Sequence, residues 1–342
     1  MDSVTQFVLG SALGVAVMGR RQAVWKSALA GGIVGTLPDL DVLIQFDDPI
    51  SSMVRHRGET HSIYWQTITA PAIALVCWLL SRRLGGFVRW WVMVWLVLLT
   101  HAGLDAMTVY GTQLLLPRDR TPYGVGSIFI IDPLYTLPLL FGLLMALVMR
   151  GRSGRHWNLL GLVLSSAYLF WSWQAQQHVT RLVMQSENGR DLSAGQVLVT
   201  PTPFNTVLWR IVLRRDDHYE EGFHSLLDAW VEPGRPIRFH RFELDQALDR
   251  ATADMVSADQ IRQFTKGFYQ VYAVDQSIRI ADLRMGQAPY YRFSFEFARS
   301  QGDSLTAVKP VATGSRNNDI DMGRSLTWLA ARLRGQDIDP PR

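Results

Sequence analysis

The sequence predicts an α-helical membrane bundle of about six segments over residues 1–175, followed by a soluble α+β domain with antiparallel sheet over residues 178–342. Three observations predict it. Apolar runs rich in Leu, Val and Trp recur up to about residue 175. Beyond that point Arg, Asp, Glu and Gln reach the density of an ordinary soluble domain. Lysine and arginine of the first half collect in short loops between the runs, as they do in cytoplasmic loops of membrane proteins. The whole-chain mean hydropathy of +0.06 blends two halves that have to be read separately.

A helix needs about 20 mainly apolar residues to cross the hydrocarbon core. Residues 63–81, 87–107, 133–149 and 157–173 meet or approach that length. Residues 4–19 carry Gly10, Gly14 and Gly19, and residues 23–44 carry Gly31, Gly32, Gly35 and the polar sequence Pro38-Asp39-Leu40-Asp41. Those glycines permit close helix packing or mark a broken segment. The N-terminus lacks a basic n-region and a small-residue cleavage site, so the first segment is expected to stay in the mature chain.

Orientation follows from charge. Arg20, Arg21 and Lys26, then Arg82, Arg83 and Arg89, then Arg150, Arg152 and Arg155 occupy alternate loops, against Arg55, Arg57, Arg118 and Arg120 in the others. This bias of nine against four places the three alternate loops that carry the nine in the cytoplasm and both termini, with the C-terminal domain, on the outer side of a bacterial inner membrane. Basic residues so used for topology leave no case for a nucleic-acid partner. The single cysteine, Cys77, excludes an intrachain disulfide and a thiolate-rich metal site.

Ionisable side chains at membrane depth cost several kcal/mol unless paired or solvated, so each is a functional hypothesis by default. Here Asp39 and Asp41 end segment two, His56 and His61 precede segment three, and His101 and Asp105 lie four apart on one helical face of segment four. Asp2 opens segment one. On the topology above all seven fall at the outer boundary. Imidazoles and carboxylates without cysteine suit Zn²⁺ first, and also Mn²⁺ or Fe²⁺. The expected metal ligands are Asp39, Asp41, His56, His61, His101 and Asp105, with Asp39, Asp41, His61 and Asp105 as the catalytic set. The expected chemistry is metal-activated water attacking an ester or phosphoester. Each motif also has a plain reading: Asp-x-Asp as a helix cap, His101 with Asp105 as a hydrogen-bonded pair between helices, and Arg55 and Arg57 as headgroup contacts. Their convergence in one layer favours the site.

With those residues in view, the chain resembles the YdjM-like family of predicted membrane-bound metal-dependent hydrolases. The resemblance rests on Leu37-Pro38-Asp39-Leu40-Asp41, on His56-Arg57-Gly58-Glu59-Thr60-His61-Ser62, and on Leu99-Thr100-His101-Ala102-Gly103-Leu104-Asp105 running to Tyr110-Gly111-Thr112-Gln113, over roughly residues 1–175. The stretches Ser127–Tyr135 and Pro201–Asn205 look like a longer subgroup with a C-terminal extension. The resemblance implies a metal-dependent hydrolase and supplies no substrate. It also implies a histidine near the N-terminus, where this chain has Gln6, so the site has room for fewer metals.

Arg57, Arg118 and Arg120 are the candidate substrate-binding residues, because guanidinium groups match phosphate oxygens in bidentate geometry. A positive rim facing lipid headgroups is the plainer account of the last two. A site at headgroup depth suits a lipid-linked or phosphorylated substrate, with membrane lipid as the natural partner. Two other functions fit the same residues: an ion-coupled transporter or channel, and a non-catalytic membrane scaffold or regulator.

In the second half, residues 207–215 and 219–227 flank Asp216-Asp217-His218 as a predicted hairpin. Residues 277–285 and 290–298 read as a second strand pair, and 258–269 and 324–333 as helices. No catalytic motif stands out there, and His156, His178, His218, His224 and His240 read as structural.

Overall fold

The computed structural model describes the chain except residues 20, 45, 83, 85, 150, 303, 315–320 and 342. Arg20, Arg83 and Arg150, used above for orientation, lie outside the described residues. Contacts divide the chain into two compact units. The first holds Met1–Ile44, His56–Gln174 and Pro203–Asn205; the second holds residues 46–55, Ala175–Thr202 and the chain from Thr206.

The first unit is helical. Its elements are α1 (Ser3–Met18) and α2 (Val24–Thr36); after α3 (Pro49–Arg55), which belongs to the second unit, come α4 (Ile63–Leu80), α5 (Phe87–Ala106), α6 (Pro133–Val148) and α7 (Arg152–Gln185), the last passing into the second unit at residue 175. Helices therefore stand at all six predicted positions. Among the described residues, α4 and α5 are long and apolar enough to cross a membrane, and α1 and α6 are shorter apolar helices. Only 17% of the apolar window of α4 is buried. The core helix of a soluble protein would be covered, whereas this one leaves Ile68, Leu75, Val76, Leu79 and Leu80 exposed.

Two short 3₁₀ turns, Pro38–Leu43 after α2 and Glu59–His61 before α4, carry most of the polar motifs. What holds α2 in place is its approach to α1. A Cβ on Gly31 would stand 2.1 Å from the carbonyl oxygen of Gly10, and one on Gly10 would stand 2.4 Å from that of Gly31. Both obstacles are backbone, so neither can yield by changing rotamer. Gly31→Ala is therefore expected to destabilise the chain by about 1–3 kcal/mol. It should also weaken metal binding more than about tenfold, because α2 carries the Gly35 carbonyl that orients a site histidine. Gly103→Ala, where an added Cβ meets nothing within 4 Å, is the control and should do neither. Thermal unfolding and metal titration of the two variants check this.

The second unit contains two four-stranded antiparallel sheets. The first runs β1 (Val197–Pro201), β2 (Leu208–Arg214), β3 (His218–Ser225) and, after α8 (Asp228–Val231), β4 (Phe239–Glu243), in sequential order. The predicted hairpin is present, with Arg214 opposite Tyr219 across the Asp216-Asp217 turn. Pro201 ends β1 at the sheet edge, where its missing N–H costs no ladder bond.

Helices α9 (Gln246–Ala251) and α10 (Val256–Thr265) lead to the second sheet, whose order is β10-β9-β6-β5. Its strands are β5 (Tyr269–Val274), β6 (Ser277–Asp282), β9 (Ser294–Gln301) and β10 (Ser304–Ala312). The expected pair is present as β6 against β9, and a strand that was not expected joins β6 on its other side. The hairpin partner of β6 is β5, joined through Asp275 at φ 54°, and the strand predicted at 290–298 begins at Ser294 instead. Tyr290-Tyr291 forms a separate small ladder, β8, with Gly286-Gln287, β7. Helix α11 (Met322–Leu333) packs Trp328 onto Phe223. Its Arg332 forms a two-pronged ion pair with Asp228. Burial favours the protonated acid, but Arg332 and His224 outweigh it and hold the Asp228 carboxyl well below the usual carboxylate range.

Candidate metal centre

The site is assembled from three segments of the first unit. The 3₁₀ turn after α2 presents Asp39, the turn before α4 presents His61, and the last turns of α5 present His101 and Asp105 on one face. One ligand atom from each of these four lies within 4.8 Å of all the others. His61 Nε2 is 3.1 Å from His101 Nε2, 3.5 Å from Asp39 Oδ1 and 3.1 Å from Asp105 Oδ2. His101 Nε2 is 3.4 Å from Asp39 Oδ1 and 3.6 Å from Asp105 Oδ2. Four donors bound at about 2.0–2.1 Å around one tetrahedral ion stand about 3.3 Å from each other. Five of the six separations fall around that value, so the donor set fits a single small divalent ion.

Hydrogen bonding fixes which nitrogen of each imidazole faces inward. The Nδ1 of His101 lies 2.7 Å from the carbonyl oxygen of Gly35, which can only accept, so Nδ1 carries the proton and donates it. His61 Nδ1 lies 2.9 Å from Thr60 Oγ1, while the Thr60 hydroxyl donates its own proton to Asp41 Oδ2 at 3.0 Å. That hydroxyl can only accept from His61, so Nδ1 is again the protonated nitrogen. In the neutral form both Nε2 atoms then aim lone pairs at each other and at two carboxylate oxygens. Outer hydrogen bonds of this kind set tautomer and ring direction in metal-binding histidines.

His61, His101 and Asp105 are essentially inaccessible, whereas the Asp39 side chain is 18% exposed and marks the opening. Asp105 Oδ2 receives no well-directed hydrogen bond, although Arg57 Nε stands 3.3 Å away. The other Asp105 oxygen meets the backbone amine of Met1 and, at 3.1 Å, the Gln6 side-chain amide.

The remaining predicted residues have other neighbours. Asp41 and His56 pair with each other at 2.8 Å, and the second Asp41 oxygen accepts from the Arg57 backbone N–H and from Thr60. They stand beside the four-donor cluster and brace it. Arg57 is buried, at φ 62°, with its guanidinium against Asp105, Thr108 and the Tyr110 ring, so it faces into the site. Arg118 and Arg120 are exposed on the loop between α5 and α6. Asp2 caps α1 through the N–H groups of Val4 and Thr5. Gln6, where the resemblance implied a histidine, is buried with its amide nitrogen on Asp105 and on the His101 carbonyl.

Sequence reasoning missed the orienting roles of Gly35, Thr60 and Thr108. Thr60 at least lies inside the motif between His56 and His61. A backbone carbonyl such as that of Gly35 leaves no residue-type signal at all.

Comparison with known proteins finds a family model and curated relatives. The uncharacterized protein YfhP of Bacillus subtilis is 30% identical over 143 residues, 39% of this chain and 42% of that protein. The inner membrane protein YbcI of Escherichia coli is 36% identical over 85 residues, 24% of this chain and 47% of that protein. The chain thus spans less than half the length of the curated relatives it matches. No solved structure matches. The family model for YdjM inner membrane protein matches residues 1–179, more than half of the 342 residues, and contains every site residue described above. The chain therefore belongs to the YdjM inner membrane protein family.

Proposed function

We propose that this protein is a divalent-metal-dependent hydrolase of esters or phosphoesters, working at the outer boundary of a six-segment membrane bundle. The observation that carries the reading is the pair of Nε2 atoms, 3.1 Å apart, turned toward oxygens of two carboxylates. Four acceptors converge with no proton assigned between them, and a cation relieves that repulsion. Asp39, His61, His101 and Asp105 would hold the ion, Zn²⁺ foremost and Mn²⁺ or Fe²⁺ as alternatives, and the ion supplies charge to stabilise the developing oxyanion.

The chain's own residues do the rest. Asp41 and His56 hold the two 3₁₀ turns together, and Thr60 fixes the His61 ring. Asp39, partly exposed at the opening, would hold the ion through Oδ1 and with its other oxygen take a proton from the entering water and pass it to the leaving oxygen. The water oxygen bonds to phosphorus or to the acyl carbon, the bond to the leaving oxygen breaks, and that oxygen takes up a proton. No redox change accompanies the step. The charge bias of the loops supports an opening and a C-terminal domain on the outer side.

The test is elemental analysis and turnover of the purified full chain in detergent. We expect about one equivalent of a divalent metal per chain and hydrolysis of bis(p-nitrophenyl) phosphate that stops on chelation and returns with metal. A protein that folds and functions without metal removes this reading, and proteoliposome ion flux that needs Asp105 and forms no product replaces it with transport.

A further inference from the structure

Of the two 3₁₀ turns that bring ligands to the site, the first is apolar on its outer side and the second exposes Glu59. On the first, Asp39 and Asp41 point to the site, while Leu40, Val42, Leu43 and Ile44 are 52, 71, 75 and 54% exposed. On the second, His61 is buried, and the chain runs at once into α4, whose first turn exposes Tyr64 and Trp65. A site for a freely soluble phosphoester would be expected to carry polar residues at its mouth. Here the exposed side chains that follow Asp39 along the first turn are aliphatic.

The surrounding medium accounts for them. Helix α4 is one of the two helices long and apolar enough to span a membrane, and most of its apolar window is uncovered by protein. Tyr and Trp at the end of such a helix settle at headgroup level. His61 is two residues from the start of α4, which puts the four donors at the depth where a lipid carries its ester and phosphate groups. Inside the site, Arg57 Nε is a buried donor with no well-directed partner, 3.3 Å from Asp105 Oδ2, and suits a phosphate oxygen.

Resting on the hydrolytic reading above, we infer that the substrate is a long-chain lipid phosphoester of the bilayer. Its phosphate reaches the site past Asp39, and its chain lies along Leu40, Val42, Leu43 and Ile44. Each methylene buried there is worth roughly fourfold in affinity, so chain length is the variable that reports on this surface.

The experiment compares two probes with the same phosphodiester: a dioleoyl glycerophospholipid in mixed micelles and its deacylated, water-soluble counterpart. Metal-loaded full-length protein should cleave the lipid with a kcat/KM at least 100-fold higher, read by phosphorus NMR. Val42→Glu with Leu43→Glu should pull that ratio toward one, and Val42→Ala with Leu43→Ala should lower it less, both with bound metal retained as the sign of an intact fold. Equal kcat/KM for the two probes overturns the lipid assignment and leaves hydrolysis standing. A ratio unmoved by both double variants overturns the role of this surface. No product from either probe, with metal bound, removes the hydrolytic reading and this assignment with it.

Discussion

His101→Ala is expected to bring bound metal from about one equivalent per chain to background and to abolish hydrolysis with it. The substitution removes one of four inward donors and also the only contact between the α5 face and the Gly35 carbonyl among the described hydrogen bonds. Changes to outer partners of metal ligands cost about 10–100-fold in affinity or activity, so loss of a ligand itself should exceed about 100-fold. Asp105→Asn should come close to it, because an amide cannot replace a charged donor and leaves Arg57 buried beside a neutral group. Thr60→Val gives the graded comparison. It leaves four donors in place but frees the His61 ring to take the other tautomer, and should fall within the 10–100-fold window. Metal titration of the three variants ranks them. If Thr60→Val binds as poorly as His101→Ala, the four-donor description of the site is wrong. If His101→Ala still binds one equivalent, the ion is elsewhere.

How far the site could be read from sequence depends on what each residue type can disclose. His61, His101, Asp39 and Asp105 stand out because charged or titratable side chains are costly at membrane depth, and the i, i+4 spacing of His101 and Asp105 fixes their common face. Asp41 and His56 carry the same signal, yet the fold pairs them with each other. Ligating and bracing residues are of one chemical kind, and only geometry separates them. Arg57 was legible as a functional cation but not as an inward-facing one, since its direction is set by a left-handed backbone at φ 62° that nothing in the residue type requires.

In the fold, the apolar runs located the helices, and the Asp216-Asp217 turn located the β2–β3 hairpin. Strand β5 was hidden because Tyr269 continues the spacing of α10, and the break comes from Lys266 and Gly267, both at positive φ. Strand β9 starts later than expected because Gly286 to Tyr291 folds on itself as a two-residue ladder. Segment α3 was read as loop, and its grouping with the second unit has no local signature.

Glu221→Leu should destabilise the second unit by about 3–5 kcal/mol, the cost of leaving a buried cation without its partner. Strand β2 is buried on both faces: Trp209, Ile211 and Leu213 belong to one apolar cluster, Val212 to a second and Leu208 to a third. Alternation along the strand puts Arg210 between Leu208 and Val212, where an aliphatic residue would be expected. Its guanidinium donates to Glu221 Oε2 at 2.8 and 2.5 Å and to the Leu283 carbonyl at 2.8 Å, and Glu221 also accepts the Ala288 N–H. The bonds to Leu283 and Ala288 tie the first sheet to the segment after β6, so the pair helps to fix how the two sheets of this unit meet. Arg210→Met should cost a similar amount, because it strands the Glu221 charge instead. Replacing both, as Arg210→Met with Glu221→Leu, removes both charges at once and should recover most of the loss, as apolar replacements of buried ion pairs often do. Hydrogen exchange at the β2 and β3 amides of the full chain reads these three numbers in the unit concerned. Single variants within about 1 kcal/mol of the parent would mean that water reaches Arg210, and the pair would then be an ordinary surface contact.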